Sequence, residues 1–174
     1  MTARGAAPKS AQIRLSSPEA TERLGQRVAE QLVPGDVILI EGPIGAGKSH
    51  FCRAVIRSLL AKEGRSEDIP SPTFTLVQTY ELRDMEVWHA DLYRLTGPGE
   101  ASELGLDEAF ETAVVLIEWP DRLADGAPKT ALRLRLVLVD DDAASRLATL
   151  TATAPRWQNL LSSLPVRDGG GLDG

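Results

Sequence analysis

Apolar residues along the chain keep two different periods, and the switches between them mark out the elements. Residues 1–10 are small and polar with no period and read as part of a disordered leader (1–12), after which IRLS (13–16) reads as an edge strand. Residues 16–32, SSPEATERLGQRVAEQL, predict a helix. Ser17 suits the N-cap, Pro18 the first helical position and Glu19 the first turn, while Leu24, Val28 and Leu32 recur every four residues as one buried stripe. PGD (34–36) is a turn. VILIE (37–41) is an unbroken apolar run of the kind buried on both faces of a sheet. Residues 48–64 return to the helical period, with Phe51, Val55 and Leu59 on one face and Gly64 as the stop signal.

The second half is richer in strands. TLVQTYEL (75–82) and EVWHADLY (86–93), joined by a polar turn around Asp84, predict a hairpin. Residues 96–111 are acidic, with loop and short helical character. AVVLIE (113–118) is a second buried apolar run. In ALRLRLVLV (131–139), Leu132, Leu134, Leu136 and Leu138 alternate with Arg133 and Arg135, which predicts a half-exposed strand. RLATLTAT (146–153) is its expected partner across DDDAA. PRWQNLLSSL (155–164) reads as a closing helix, and residues 166–174 as a flexible tail. No internal repeat is visible, so residues 13–165 are expected to form one domain.

Composition narrows the class. The chain has 174 residues, 43% hydrophobic and 25% charged, enough for one domain with a real core. No apolar run approaches the roughly 20 residues of a membrane span, and the N-terminus lacks the apolar stretch of a secretory signal. Cys52 is the single cysteine, which excludes an internal disulfide and a cysteine-rich zinc site and fits the cytoplasm. The formal net charge of −6, with the basic residues scattered, argues against tight direct binding of nucleic acid.

Between the first apolar run and the second helix lies GPIGAGKS (42–49), which matches G-x-x-x-x-G-K-[ST] at every defined position. In such a loop the glycines let successive N–H groups turn inward as a concave anion site, and the following helix adds its positive end. Gly42, Pro43, Ile44, Gly45, Ala46, Gly47, Lys48 and Ser49 are therefore the candidate phosphate-binding residues. Lys48 reaches toward β- and γ-phosphates, and the Ser49 hydroxyl is a Mg²⁺ ligand. A guanine reader of the N-K-x-D type is absent, since Asn159 is the only asparagine, and ATP is favoured.

Three further positions carry candidate chemistry. Glu118 ends a buried strand where a carboxylate is delivered beside a phosphate loop, the alternative being a strand-end Glu facing solvent. Asp91 is placed to organise Mg²⁺ or an attacking water, against a capping role or an ion pair with Arg94. Thr73, in SPTF (71–74), is either a switch hydroxyl or part of a plain Ser-Pro-Thr turn. Trp119 is a core or docking residue. The two histidines, His50 and His89, do not by themselves make a metal site.

Taken in order, GPIGAGKS (42–49), SPTFTLV (71–77), HADLYRL (89–95) and IEWPDRL (117–123) resemble the TsaE family of small ATPases required for threonylcarbamoyladenosine biosynthesis on tRNA. The likeness covers roughly residues 15–155. It implies an α/β fold: a three-layer P-loop NTPase-like domain with a mostly parallel sheet and an antiparallel portion. It implies that Lys48 and the loop bind ATP, that Ser49 and Glu118 hold Mg²⁺, that Thr73 belongs to a switch segment, and that Asp91 is required for ATP turnover. Trp119 matches a functional tryptophan beside the metal-binding Glu, and Pro18 falls near the adenine. The implied partners are TsaB and TsaD, the latter transferring the threonylcarbamoyl group to adenosine 37 of ANN-decoding tRNAs, so that tRNA is met only indirectly. The implied role is an ATPase of low intrinsic rate that resets the transferase complex. A small-molecule kinase and a non-hydrolytic, ATP-dependent assembly module are the alternatives. The chain departs from the family at Pro43-Ile44, where Asp-Leu is common, and at Ser49-His50, where Thr-Thr is common. Ser49 keeps the hydroxyl; Pro43 removes one N–H.

Overall fold

The structure is a computed structural model and describes residues 9–164. The expected tail (166–174) and the first eight residues of the expected leader lie outside the described residues. Seven strands form one sheet: β1 (Lys9–Leu15), β2 (Val37–Glu41), β3 (Val77–Glu81), β4 (Glu86–Asp91), β5 (Val114–Glu118), β6 (Leu132–Val139) and β7 (Asp142–Ala152). Their order is β1-β7-β6-β2-β5-β4-β3. The centre is parallel, β6 to β2, β2 to β5 and β5 to β4, whereas β1–β7, β7–β6 and β4–β3 are antiparallel. The antiparallel portion thus occupies both margins.

Five helices cover the two faces, which makes three layers. α1 (Pro18–Ala29), α2 (Lys48–Ala61) and α5 (Gln158–Ser163) share a core with Ile38, Ile40, Leu116, Leu132 and Leu134. α3 (Pro98–Glu103) and α4 (Leu106–Thr112) pack on the other face with Val37, Leu39, Val115 and Ile117. Odd and even residues of β2 and β5 serve opposite cores, which is why both strands read as continuous apolar runs. No helix among the described residues is long and apolar enough to cross a membrane.

Local signals act as the sequence predicts. The Ser17 hydroxyl accepts from the Ala20 N–H, and Pro18 is the first residue of α1. Gly64, at φ +70°, closes α2: its N–H bonds to the Ala61 carbonyl and that of Arg65 to the Leu60 carbonyl. Two expectations are corrected. Residues 9–12 are not leader but the start of β1, because Lys9 through Leu15 pair residue by residue with Ala152 back to Arg146 of β7. Leu138 is half exposed: it keeps the face of Leu134 and Leu136, but β6 there has run past Arg135, the last residue paired with β2, and the core does not reach it.

The PGD turn is fixed by a buried acid. The Asp36 carboxylate accepts from the Val33 N–H at 2.9 Å and from Arg156 Nε at 2.6 Å, joining the start of β2 to the segment that leads into α5. Losing these charge-assisted bonds in Asp36→Ala should lower stability by about 2 kcal/mol. Urea unfolding checks this, and an unchanged midpoint would contradict it.

Candidate functional site

The parallel strands β2, β4 and β5 end at the same level, and their register gathers the candidate residues there. Glu118 lies opposite Ile40 on one side and Asp91 on the other, so the two carboxylates are neighbours across β4 and β5. Strand alternation turns His89, Asp91 and Glu118 toward the face that α2 covers, the face of Val87 and Leu116. Glu118 is 2% exposed and Asp91 6%. A strand-end Glu facing solvent is therefore ruled out.

Residues 42–49 run from β2 into α2. Gly42 is required by space: a Cβ there would stand 2.4 Å from the Leu136 carbonyl oxygen of β6. The loop closes on its own lysine, with Lys48 Nζ donating to the carbonyls of Gly42 (2.7 Å) and Pro43 (2.9 Å). Arg146 of β7 holds the tip through the Gly45 carbonyl at 3.0 Å, and Ile44 projects from it, 72% exposed. α2 starts at Lys48 with no side-chain cap, so its first-turn N–H groups have no acceptor within the helix.

Ser49 Oγ donates to Glu118 Oε1 at 2.8 Å, which brings the two expected metal-binding groups together. The other carboxylate oxygen, Oε2, meets His89 Nε2 at 2.7 Å, in a pair almost wholly shielded from water. Thr73 Oγ1 lies 2.9 Å from Ser71 Oγ and donates to Asp91 Oδ2 at 3.5 Å, while Asp91 Oδ1 accepts from the Tyr93 N–H. Asp91 thus caps the backbone after β4 and also faces Thr73. Arg94 does not pair with it and instead lies over the exposed Phe74 ring at 4.4 Å.

Trp119 adopts a left-handed conformation (φ 58°, ψ 54°), strained for a side chain of this size. Its ring lies 4.4 Å from Lys48 Nζ and 4.9 Å from the Tyr93 ring, so the strain places an aromatic wall against the lysine. Leu76 is also left-handed (φ 66°); its carbonyl accepts from the Asp91 N–H and its N–H bonds to the Pro72 carbonyl, tying residues 71–76 to the end of β4. Pro18 stands farther out, its carbonyl 3.1 Å from His50 Nε2 in the first turn of α2. Burial pushes the Asp91 carboxyl up, opposed by the Tyr93 N–H bond and reinforced by the Glu118 charge. Burial lowers the Lys48 ammonium, although Glu118 and Asp91 pull it back. The Cys52 thiol is pushed well up by burial and lines the floor as an uncharged group.

A concave loop with a lysine, set beside two carboxylates and two hydroxyls, can hold a polyanion and a hard cation side by side. The residues that sequence reading singled out converge here, with Pro18 at the rim. His89, to which the sequence reading gave no role, joins them through Glu118. A lone histidine in a strand carries no sign of its partner, and only its two-residue spacing from Asp91 hinted at a shared face.

The comparisons with known proteins point to one family. The family model described as Threonylcarbamoyl adenosine biosynthesis protein TsaE matches residues 15–147. The tRNA threonylcarbamoyladenosine biosynthesis protein TsaE of Rickettsia bellii (strain RML369-C) is 39% identical over 137 residues, covering 79% of this chain and 92% of the relative. Its namesake from Bacillus subtilis (strain 168) is 33% identical over 156 residues, covering 89% and 94%. Among solved structures, that of Bacillus subtilis YdiB superposes with a TM-score of 0.73 at 29% identity, covering 90% of this chain and 94% of that one.

Because the Asp91 carboxyl is raised above its ordinary 3.8, the folded state holds that proton more tightly than the unfolded chain. Stability from this group is present at low pH and is lost as pH rises from that value through the raised one. Asp91→Asn should therefore be the more stable protein at neutral pH, with the difference closing on acidification. Urea unfolding across pH checks this; a variant less stable by the same amount at every pH would contradict it.

Proposed function

The chain belongs to the TsaE family of threonylcarbamoyl adenosine biosynthesis proteins, and we propose that it serves that pathway as a Mg²⁺-dependent ATPase of low intrinsic rate. The observation that carries this reading is the Ser49–Glu118 contact at 2.8 Å directly after a glycine loop that holds its own lysine. A hydroxyl and a carboxylate in that position are the donor types a magnesium ion takes next to nucleotide phosphates. When bound, the ion supplies positive charge to the β- and γ-phosphate oxygens.

The chain's own residues do the rest. The N–H groups of residues 42–49 and of the first turn of α2 receive the phosphates of ATP, one fewer than in the usual loop because Pro43 has none to offer. Lys48 exchanges the carbonyls of Gly42 and Pro43 for the β- and γ-phosphates, with the Trp119 ring 4.4 Å from its ammonium. Water adds to the γ-phosphorus as the bond to the β–γ bridging oxygen breaks, giving ADP and phosphate. Asp91 orients that water and takes its proton, a task suited to a carboxyl with a raised proton affinity. Thr73 reports the state of the γ-phosphate to residues 71–76. Pro18, whose carbonyl meets His50 in the first turn of α2, would lie on the adenine side of the site.

The purpose of hydrolysis in this reading is conformational work in the cytoplasm. Loss of the γ-phosphate releases residues 71–76 and resets the TsaB–TsaD complex for another round on tRNA. Phe74 (82% exposed), Ile44 and Tyr93 give the segments around the loop an apolar face suited to protein partners.

Lys48→Ala should weaken ATP binding roughly tenfold or more, as loss of charge-assisted phosphate bonds requires. Glu118→Ala should keep binding of nucleotide in EDTA but cut Mg²⁺-dependent phosphate release by about a hundredfold. Binding by fluorescence and phosphate release measure the two effects, and normal activity in either variant would remove the corresponding role. Multiple-turnover tRNA modification should require hydrolysable ATP; sustained turnover with a non-hydrolysable analogue would contradict the resetting role.

A further inference from the structure

We infer that His89 is a positioning residue, fixing the Glu118 carboxylate in the orientation that presents its second oxygen, with Ser49, to a divalent cation. This rests on the metal-binding reading of Ser49 and Glu118 above.

The imidazole is fully buried on β4, between Leu116 of β5, its neighbour in register, and Cys52 of α2. Placing a ring with two polar nitrogens there is costly unless both find partners. Among the described residues only one does: Nε2 meets Glu118 Oε2 at 2.7 Å, whereas Nδ1 has no hydrogen-bond partner there. The one hydrogen bond the ring makes goes to this carboxylate. An aliphatic or phenyl side chain would fill the same volume of core without leaving a nitrogen unsatisfied.

The effect on Glu118 follows from its two oxygens. A carboxylate only accepts, so for Glu118 to serve as a metal ligand Nε2 must be the donor and Oε2 the acceptor. With Oε2 held from the β4 side, the carboxylate plane cannot rotate, and Oε1 faces Ser49 Oγ at 2.8 Å. Without His89, Oε2 would be a buried, unpaired charge, and the Lys48 ammonium, already attracted by Glu118, is the cation that would be drawn toward it, away from the carbonyls of Gly42 and Pro43. That shift would withdraw both the carboxylate and the lysine from their tasks.

Two variants of the full chain test this, His89→Leu, which fills the core but cannot donate, and His89→Gln, whose amide nitrogen reaches about as far as Nε2. Mn²⁺ affinity with ADP bound, read by electron paramagnetic resonance, should fall about tenfold or more in His89→Leu. It should recover in His89→Gln, while ADP binding in EDTA stays unchanged in both. Wild-type Mn²⁺ affinity in His89→Leu would overturn the inference, as would a folded His89→Gln as impaired as His89→Leu. If His89→Leu does not fold, His89→Gln decides alone: native affinity supports the assignment and a loss overturns it. No saturable Mn²⁺ site in the unaltered protein would overturn the metal reading and this inference with it. A site that survives His89→Leu overturns this inference alone.

Discussion

Glu118 carries its carboxylate at the end of an otherwise apolar strand, at 2% exposure, where water cannot solvate it. Burying such a charge alone is prohibitive, so the groups around it set the terms for the rest of the site. Ser49 and His89 each satisfy one oxygen, and the Lys48 ammonium compensates the charge from the loop above. Asp91, next in register, adds a second buried acid whose proton affinity is raised by its own burial and further by the Glu118 charge. The parallel centre of the sheet is what makes this possible. Three adjacent strands run the same way and deliver their last residues to one edge.

The surrounding backbone is shaped to keep these groups in place. Gly42 passes β6 where a Cβ has no room, and Trp119 turns left-handed immediately after Glu118 so that its ring meets Lys48. Leu76 makes a similar turn and draws residues 71–76 beside Asp91. Among the described residues, two of the three non-glycine positions with positive φ, Leu76 and Trp119, thus adjoin the buried carboxylates, and the third, Ala124, lies in the turn that follows Trp119. The antiparallel margins, β1–β7–β6 on one side and β3 on the other, leave the parallel centre flanked on both sides, and Arg146 of β7 also reaches the loop tip.

Much of this was legible because the signals are local. The cap at Ser17, the apolar runs of β2 and β5 and the glycine-lysine loop are each written within a dozen residues, and the order of four short motifs pointed to the family. What was hidden depends on contacts distant in sequence. The start of β1 at Lys9 is fixed only by pairing with β7, and nothing near residue 9 announces it. The exposure of Leu138 follows from how far β6 outruns β2, which alternation alone does not reveal. His89 read as an isolated histidine because its partner, Glu118, lies on another strand. Trp119 gave no sign of its left-handed turn, since its identity argues against one.

Hydrolysis of ATP by this cluster of buried groups, on behalf of a partner complex, is the function we propose. It is tested most directly by measuring phosphate release from ATP by the purified protein, alone and with TsaB and TsaD, in magnesium and in EDTA. Slow release that requires magnesium and rises strongly with the partners is the predicted result. Release that is indifferent to the partners, or that persists unchanged in EDTA, would contradict it.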